Sequence, residues 1–312
     1  MAETARPPAP RSRLDRRTLI AYGLLAVTMA CWSGNWVVGR AVYVEIPPWG
    51  LTFWRWAAAF VILLPIAGRQ FLADLPVLRR EWKLLVLLAF SGTVFNQSFV
   101  YIGLRSTEAI NALLLNAVAP AIFVAMSWMM LRDVISRRQA FGMGIAFIGG
   151  LVIVMRGDLA AIAELRLNAG DLWILAATVT WGFYSIFLKR VPPDLPTKSL
   201  LLAITGIALL VLAPAHAIES WAGRPMPLSG QAVMSVLYTG AIASVLAFFC
   251  WNAGVARVGP TMAGFFFFLM PVFGTVMAVF FLGEQVYTYH VIGILTVFAG
   301  IYFITTRQRG GG

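Results

Sequence analysis

Residues Leu51–Phe60 read LTFWRWAAAF, and the apolar run continues to Ala67. The quoted stretch carries two polar side chains, Thr52 and Arg55, so it is far too apolar for a solvated surface. About 20 mainly apolar residues cross the hydrocarbon core of a bilayer as a helix. The stretch therefore reads as a membrane span with one guanidinium inside it. The same reading recurs along the chain, giving ten candidate spans centred near residues 30, 59, 92, 120, 147, 180, 207, 242, 270 and 296. Backbone groups in lipid must pair internally, which dictates helices, and the long unbroken apolar runs exclude a barrel.

Composition agrees with this reading. Of 312 residues, 60% are hydrophobic and 12% charged, and mean hydropathy is +0.82, whereas a soluble domain carries roughly 25% charged residues. The net charge of +11 would suggest nucleic acid in a soluble chain, but here topology accounts for it. With the amino terminus on the cytoplasmic side, that side holds Arg6 to Arg17, Arg69, Arg79, Arg80, Lys83, Arg132, Arg137, Arg138, Lys189, Arg190, Lys198, Arg257, Arg307 and Arg309. The other side keeps Arg40, Arg105, Arg156, Arg166 and Arg224. By the positive-inside rule both termini are cytoplasmic, and the expected location is a bacterial inner membrane. The basic start before LIAYGLLAVTMAC invites a signal-peptide reading, but apolar character runs on to about Val44, so the segment is expected to be a retained first helix. Cys31 and Cys250 lie inside apolar runs and read as packing residues.

Overlaying the halves exposes a repeat. At a shift of 149, Trp32 falls on Trp181, Asn35 on Tyr184, Pro47 on Pro196, Leu51 on Leu200 and Pro65 on Pro214. At a shift of 151, Gly103 falls on Gly254, Pro120 on Pro271, Asp133 on Glu284, Gly142 on Gly293 and Gly149 on Gly300. Five spans per half is odd, so two such units in series must face opposite ways across the membrane, as in many secondary transporters. The expected fold is all-α, ten transmembrane helices as two inverted five-helix repeats over residues 18–156 and 169–306, with tails at 1–17 and 307–312.

The patterns CWSGNWVVGR (31–40), IPPWGLTFWRWAAA (46–59) and FLGEQVYTYHVIGILTVFAGIYFI (281–304), taken with the ten spans and the duplication, resemble the drug/metabolite transporter superfamily, in particular its EamA-type members. The resemblance spans about residues 18–306. It implies export of amino acids or related small metabolites through a central cavity between the halves, and it places Asn35, one turn from Trp32, on a cavity-lining helix.

Polar groups at mid-membrane are costly and are the default functional candidates. These are Asn35, the adjacent Asn96 and Gln97, Asn111 and Asn116 before Pro120, and Asn252 after Trp251. Amides donate and accept, which suits a polar or zwitterionic solute, yet each could equally bind a neighbouring helix. Trp181 and Tyr184 share a helical face, and of Phe265–Phe268 one or two could face a cavity, Phe265 among them, with the rest in lipid. Arg55 has two readings: an interfacial anchor beside Trp54 and Trp56, or a fixed cation drawing a solute carboxylate or pairing with Glu108 or Glu45. An arginine often stands at this point of the second helix in the resembled family, which favours the inward reading, although the repeat counterpart is Ile204.

Asp133 and Glu284 stand at matching turns and read as caps for the last helix of each half. Gly142, Gly149, Gly293 and Gly300, seven apart within each half, read as a close-packing face. No Asp or Glu falls in the middle of a span, which leaves the energy source open. No phosphate loop, zinc motif, serine elbow or acid–base set occurs, so neither an ATP-driven pump acting alone nor an enzyme is expected, and no cofactor or metal. The partners expected are a small-molecule substrate and the lipid bilayer, with a homodimer compatible and nucleic acid not expected. Exchange of drugs or organic cations, in either direction, is the rival transport reading.

Overall fold

The computed structural model describes residues 15–42, 44–107, 109–158, 168–282 and 285–306, and no strand occurs among them. The tails, Glu108 and Glu284 lie outside the described residues, as does the side chain of Asn111. The helices in order are α1 (Arg16–Val42), α2 (Pro48–Ala73), α3 (Leu75–Arg80), α4 (Trp82–Leu88), α5 (Asn96–Ser106), α6 (Ala109–Leu131), α7 (Arg137–Val154), α8 (Ala169–Phe187), α9 (Thr197–Trp221), α10 (Gly230–Leu237), α11 (Ala247–Phe265), α12 (Leu269–Leu282) and α13 (Thr288–Thr305). A π-helical segment, Ala89–Phe95, joins α4 to α5, and a second, Tyr238–Leu246, joins α10 to α11.

Seven continuous helical runs among the described residues are long and apolar enough to cross a membrane. Their outer faces are apolar too: Leu210 is 78% exposed and Leu295 64%, a surface that only lipid would cover. The chain is a multi-pass membrane protein. One of the seven runs, Gly230–Met277, is 48 residues long, more than a single crossing needs. It is broken at Gly259, where φ is 82° and ψ 164°, a conformation open essentially to glycine alone. Pro260 follows, denying the helix a donor there and disfavouring helical backbone at the residue before it.

The helices that carry the matched glycines pack on one another. A Cβ on Gly142 would stand 2.7 Å from the Gly300 carbonyl oxygen, and one on Gly149 would stand 2.8 Å from that of Gly293. The pairs run in opposite order along the two helices, so α7 and α13 are antiparallel. Neither helix could back away from an added side chain, because the atoms met are main chain. The same order reversal relates α1 to α11 and the π segment before it, where Leu25 covers Gly254 and Trp32 reaches Ala243, and α5 to α8, where Ile174 covers Gly103 and Asn96 reaches the Ala177 carbonyl.

Helix ends show where local chemistry overrode simple expectation. Asp133 does not cap α7. Ser136 does, in a reciprocal box with Gln139, because it sits directly before the first helical residue. Asp133 instead accepts from Thr261 Oγ1 at 2.5 Å, beside the Gly259 break. The α2 start carries Pro47 and Pro48, which offer no capping side chain, and Glu219 of α9 supplies the acceptor, 2.8 Å from the Gly50 N–H. Asn168 caps α8 with Asp171, whose other carboxylate oxygen accepts from the Thr107 hydroxyl.

The phenylalanine run also departs from expectation. Phe265, Phe266, Phe267 and Phe268 are all buried, at 0%, 4%, 7% and 1% exposure, so none meets lipid. The chain tightens into a 3-10 turn over Phe266–Phe268 between α11 and α12, and the rings pack against Tyr22, Trp32, Phe123 and Trp251. Cys31 and Cys250 are buried and free.

Candidate functional site

Arg55 is the first residue to place. It is 0% exposed and donates inward. Nε and Nη2 reach Ser244 Oγ at 2.9 and 2.8 Å. Nη1 reaches Gln97 Oε1 at 2.6 Å, the Tyr101 hydroxyl at 2.9 Å and Asn35 Oδ1 at 3.2 Å. The guanidinium lies 5.3 Å from the Trp56 ring centroid and 6.0 Å from that of Tyr101. The anchor reading fails here, because the side chain is enclosed before it could reach a headgroup. Trp54 is 43% exposed, but Trp56 is 1% exposed and donates to the Thr93 carbonyl at 3.0 Å. No carboxylate contacts Arg55 among the described residues, and Glu45, exposed, is not its partner. Desolvating such a charge costs several kcal/mol, and here only neutral oxygens and ring faces offset that cost.

Those oxygens come from the first half, through Asn35 of α1 and Gln97 and Tyr101 of α5, and from the second, through Ser244 in the later π segment. The π geometry is what positions Ser244: its hydroxyl donates five residues back to the Thr239 carbonyl at 2.8 Å, leaving its oxygen to Arg55. Segments of this kind recur at functional sites. The two here begin at residues 89 and 238, a separation of 149, and each offers a carbonyl to an indole: Thr93 to Trp56, and Ala243 to Trp32 at 3.1 Å.

Beside this cluster lies a cavity with ≈ 480 Å³ of unfilled space, its mouth included. Its polar lining is Asn35, Asn96, Gln97, Asn116 and Thr178. The rest is apolar and aromatic: Trp32, Trp36, Val100, Ile174, Ala177, Trp181, Phe267 and Met270. Six of the residues singled out in the sequence, Trp32, Asn35, Asn96, Gln97, Asn116 and Trp181, thus share one cavity, and Arg55 bonds two of the lining amides, Asn35 and Gln97. Phe267, from the run of which one or two rings were expected to face a cavity, and Thr178 line it as well, and nothing in the local sequence marks Thr178.

Tyr184, Asn252 and Phe265 do not line the cavity. Tyr184 is 0% exposed, stacks on Trp181 with centroids 4.7 Å apart, and donates to Asn252 Oδ1 at 2.9 Å. Phe265 points away from the opening because the tight turn after it presents Phe267 instead. The Tyr184–Asn252 pair has a counterpart. Asn35 aligns with Tyr184, and Tyr101 with Asn252, and Tyr101 donates to Asn35 Oδ1 at 2.9 Å. The two halves make the same bond with the residue types exchanged.

The amide orientations form a chain. Asn35 Oδ1 and Gln97 Oε1 both accept from Arg55. Gln97 Nε2 donates to Asn96 Oδ1 at 2.6 Å, and Asn96 Nδ2 to the Ala177 carbonyl of α8 at 2.8 Å. Asn35 Nδ2 has no acceptor among the described residues. Trp181 Nε1 is buried with no partner among them, and so is Asn252 Nδ2. Trp32, the repeat mate of Trp181, meets it edge to face with centroids 4.9 Å apart, but its own N–H is taken by Ala243.

The chain is similar to known proteins over nearly its whole length. It is 26% identical over 288 residues to an uncharacterized transporter of Archaeoglobus fulgidus, covering 92% of this chain and 97% of that one. A probable amino-acid metabolite efflux pump of Salmonella typhimurium is 24% identical over 299 residues, covering 90% and 93%. A solved crystal structure superposes with a TM-score of 0.73 at 18% identity, covering 94% of this chain and 97% of that one, which shows a shared fold. The model of the EamA-like transporter family matches twice, over residues 19–155 and 168–306. The chain belongs to the EamA-like transporter family.

Proposed function

We propose that the protein is a secondary transporter that exports amino acids or related small metabolites across the inner membrane by alternating access at the cavity beside Arg55. The observation that carries this reading is that both halves supply the cavity: α1, α5 and α6 from the first, α8 and the α11–α12 turn from the second. A rocking motion between the halves would open such a cavity first to one side and then to the other. Adding α1 and α6 to the seven apolar runs and dividing the 48-residue run at Gly259 gives ten crossings. The order-reversed glycine contacts of α7 and α13 fit two halves inverted about an axis in the membrane plane. The distribution of basic residues supports cytoplasmic termini.

Counterflow tests this. Purified protein in liposomes loaded with an unlabelled amino-acid panel should take up a labelled member of one class with saturable exchange. No exchange of any amino acid or amine would overturn the substrate assignment.

A further inference from the structure

We infer that Trp32 and Trp181 are alternating latches: each indole holds the π segment of the opposite half in one of two states, and here Trp32 is closed while Trp181 is open. This rests on the alternating-access reading above. A π turn bonds each N–H five residues back, and in the second segment the Ala247 N–H goes to the Ile242 and Ser244 carbonyls. The Ala243 carbonyl, passed over by that donor, accepts the Trp32 indole instead, 3.1 Å away. The first segment stands ready for the same bond. α8 packs against it as α1 packs against the second. The segments start 149 residues apart and end 151 apart, so the two-residue slip between the repeats falls inside them. Ala243 thus corresponds to Val94 counted from the starts and to Gly92 counted from the ends. The Thr93 carbonyl between those two is taken by Trp56.

Trp181, the repeat mate of Trp32, has its indole N–H enclosed and without a partner among the described residues. It stands one ring away from the first π segment. Trp181 stacks on Tyr184, and Tyr184 lies so close against Gly92 that a Cβ there would overlap its ring. A buried donor left unpaired is costly, and an indole has no other polar atom through which to offset that cost. Because the N–H is sealed from the cavity, its acceptor comes from the protein, in a state other than this one. Inverted repeats supply that state, since exchanging the conformations of the two halves turns a carrier open to one side into one open to the other. Exchanged here, Trp181 takes the Val94 or Gly92 carbonyl and Trp32 gives up Ala243. The two indoles meet at right angles with centroids 4.9 Å apart, a contact whose members are unalike, and the exchange swaps their parts. Both rings line the cavity, so the step that moves the opening also reshapes the wall a solute touches.

Shifts of opposite sign test this. A cysteine placed at Val100, in the full-length protein lacking Cys31 and Cys250, is labelled with a membrane-impermeant maleimide from each face of sealed vesicles. The ratio of the two rates measures the balance of states. Trp32→Phe should move that ratio about ten-fold toward one face and Trp181→Phe about ten-fold toward the other, each having lost one buried hydrogen bond. The double variant should bring it back to within about three-fold of the parent, because neither state then keeps its latch. Shifts in one direction for both, or no shift in folded variants, overturn the latch and leave the carrier reading standing. Labelling from one face only, in the parent and in every variant, overturns the carrier reading and the latch with it. If the phenylalanine variants do not fold, the wild-type protein with isotope-labelled indoles decides by nuclear magnetic resonance. The Trp32 and Trp181 N–H signals should exchange between two positions at one shared rate, one losing its hydrogen-bond shift as the other gains it. Exchange at one signal alone, at unequal rates, or at neither overturns the latch.

Discussion

Replacing Arg55 by methionine should abolish exchange, by at least 100-fold per folded molecule, while leaving a protein that still assembles. Two opposing terms set the stability. Removing the guanidinium strands the oxygens of Asn35, Gln97, Tyr101 and Ser244, at about 1–3 kcal/mol for each that finds no substitute donor. Against this, a charge whose burial costs several kcal/mol is gone. Tyr101 still donates to Asn35 and Ser244 still donates to Thr239, so the net loss should be about 1–3 kcal/mol. Arg55→Lys separates charge from shape. An ammonium keeps the charge but lacks the planar fork that holds Ser244 through Nε and Nη2 together, so exchange should fall roughly ten-fold. Size-exclusion behaviour and melting temperature measure the fold, and counterflow measures the function. If both variants transported in proportion to their folded fraction, Arg55 would be a structural residue alone.

Gln97→Glu should do the reverse to stability and the same to function. Its Oε1 stands 2.6 Å from Arg55 Nη1, so a glutamate there gives the buried cation an internal partner in place of a neutral oxygen. Charge-assisted bonds are roughly twice as strong as neutral ones. The bond from Gln97 to Asn96 is lost, which offsets about 1 kcal/mol of that gain. The melting temperature should rise by a few degrees. Exchange of carboxylated solutes should fall by at least 100-fold, because the field that would hold them is neutralised from within. A variant that is more stable and inactive cannot be explained by damage to the fold. A variant that transports as the wild type does would show that the charge of Arg55 is not felt in the cavity.

Much of this was legible in the amino-acid chain, for identifiable reasons. Apolar runs are long, and the bilayer requirement acts on every residue of them, so the seven crossing-length runs among the described residues fall on spans read from the chain. Arg55 stands out because a guanidinium is rare in such a run. The glycines of α7 and α13 declare themselves by spacing. The π segments carry no local signal, since indoles from α1 and α2 reach carbonyls there that only the packed structure brings near, and Ser244 became invisible as an Arg55 partner for the same reason. Asn35 and Tyr184 looked like a mismatch between the repeats. Their meaning required a second mismatch, Tyr101 against Asn252, and the knowledge that each tyrosine bonds the amide of its own half. Phe265 and Phe267 are not distinguishable on a regular helix, and the tightening over Phe266–Phe268 that brings Phe267 to the cavity carries no sequence signal. Asp133 was read as a cap by its place in the turn, while Ser136, three residues on, is better placed to be one.

The central claim is that one cavity serves both sides of the membrane in turn. It is tested most directly by placing a cysteine at Val100, on the cavity wall, in a protein whose Cys31 and Cys250 are replaced by alanine. The cysteine is then treated with a membrane-impermeant maleimide from either face of sealed vesicles. The account requires labelling from both faces, slowed by a transported amino acid on each. Labelling from one face only, unchanged by any solute, would contradict it.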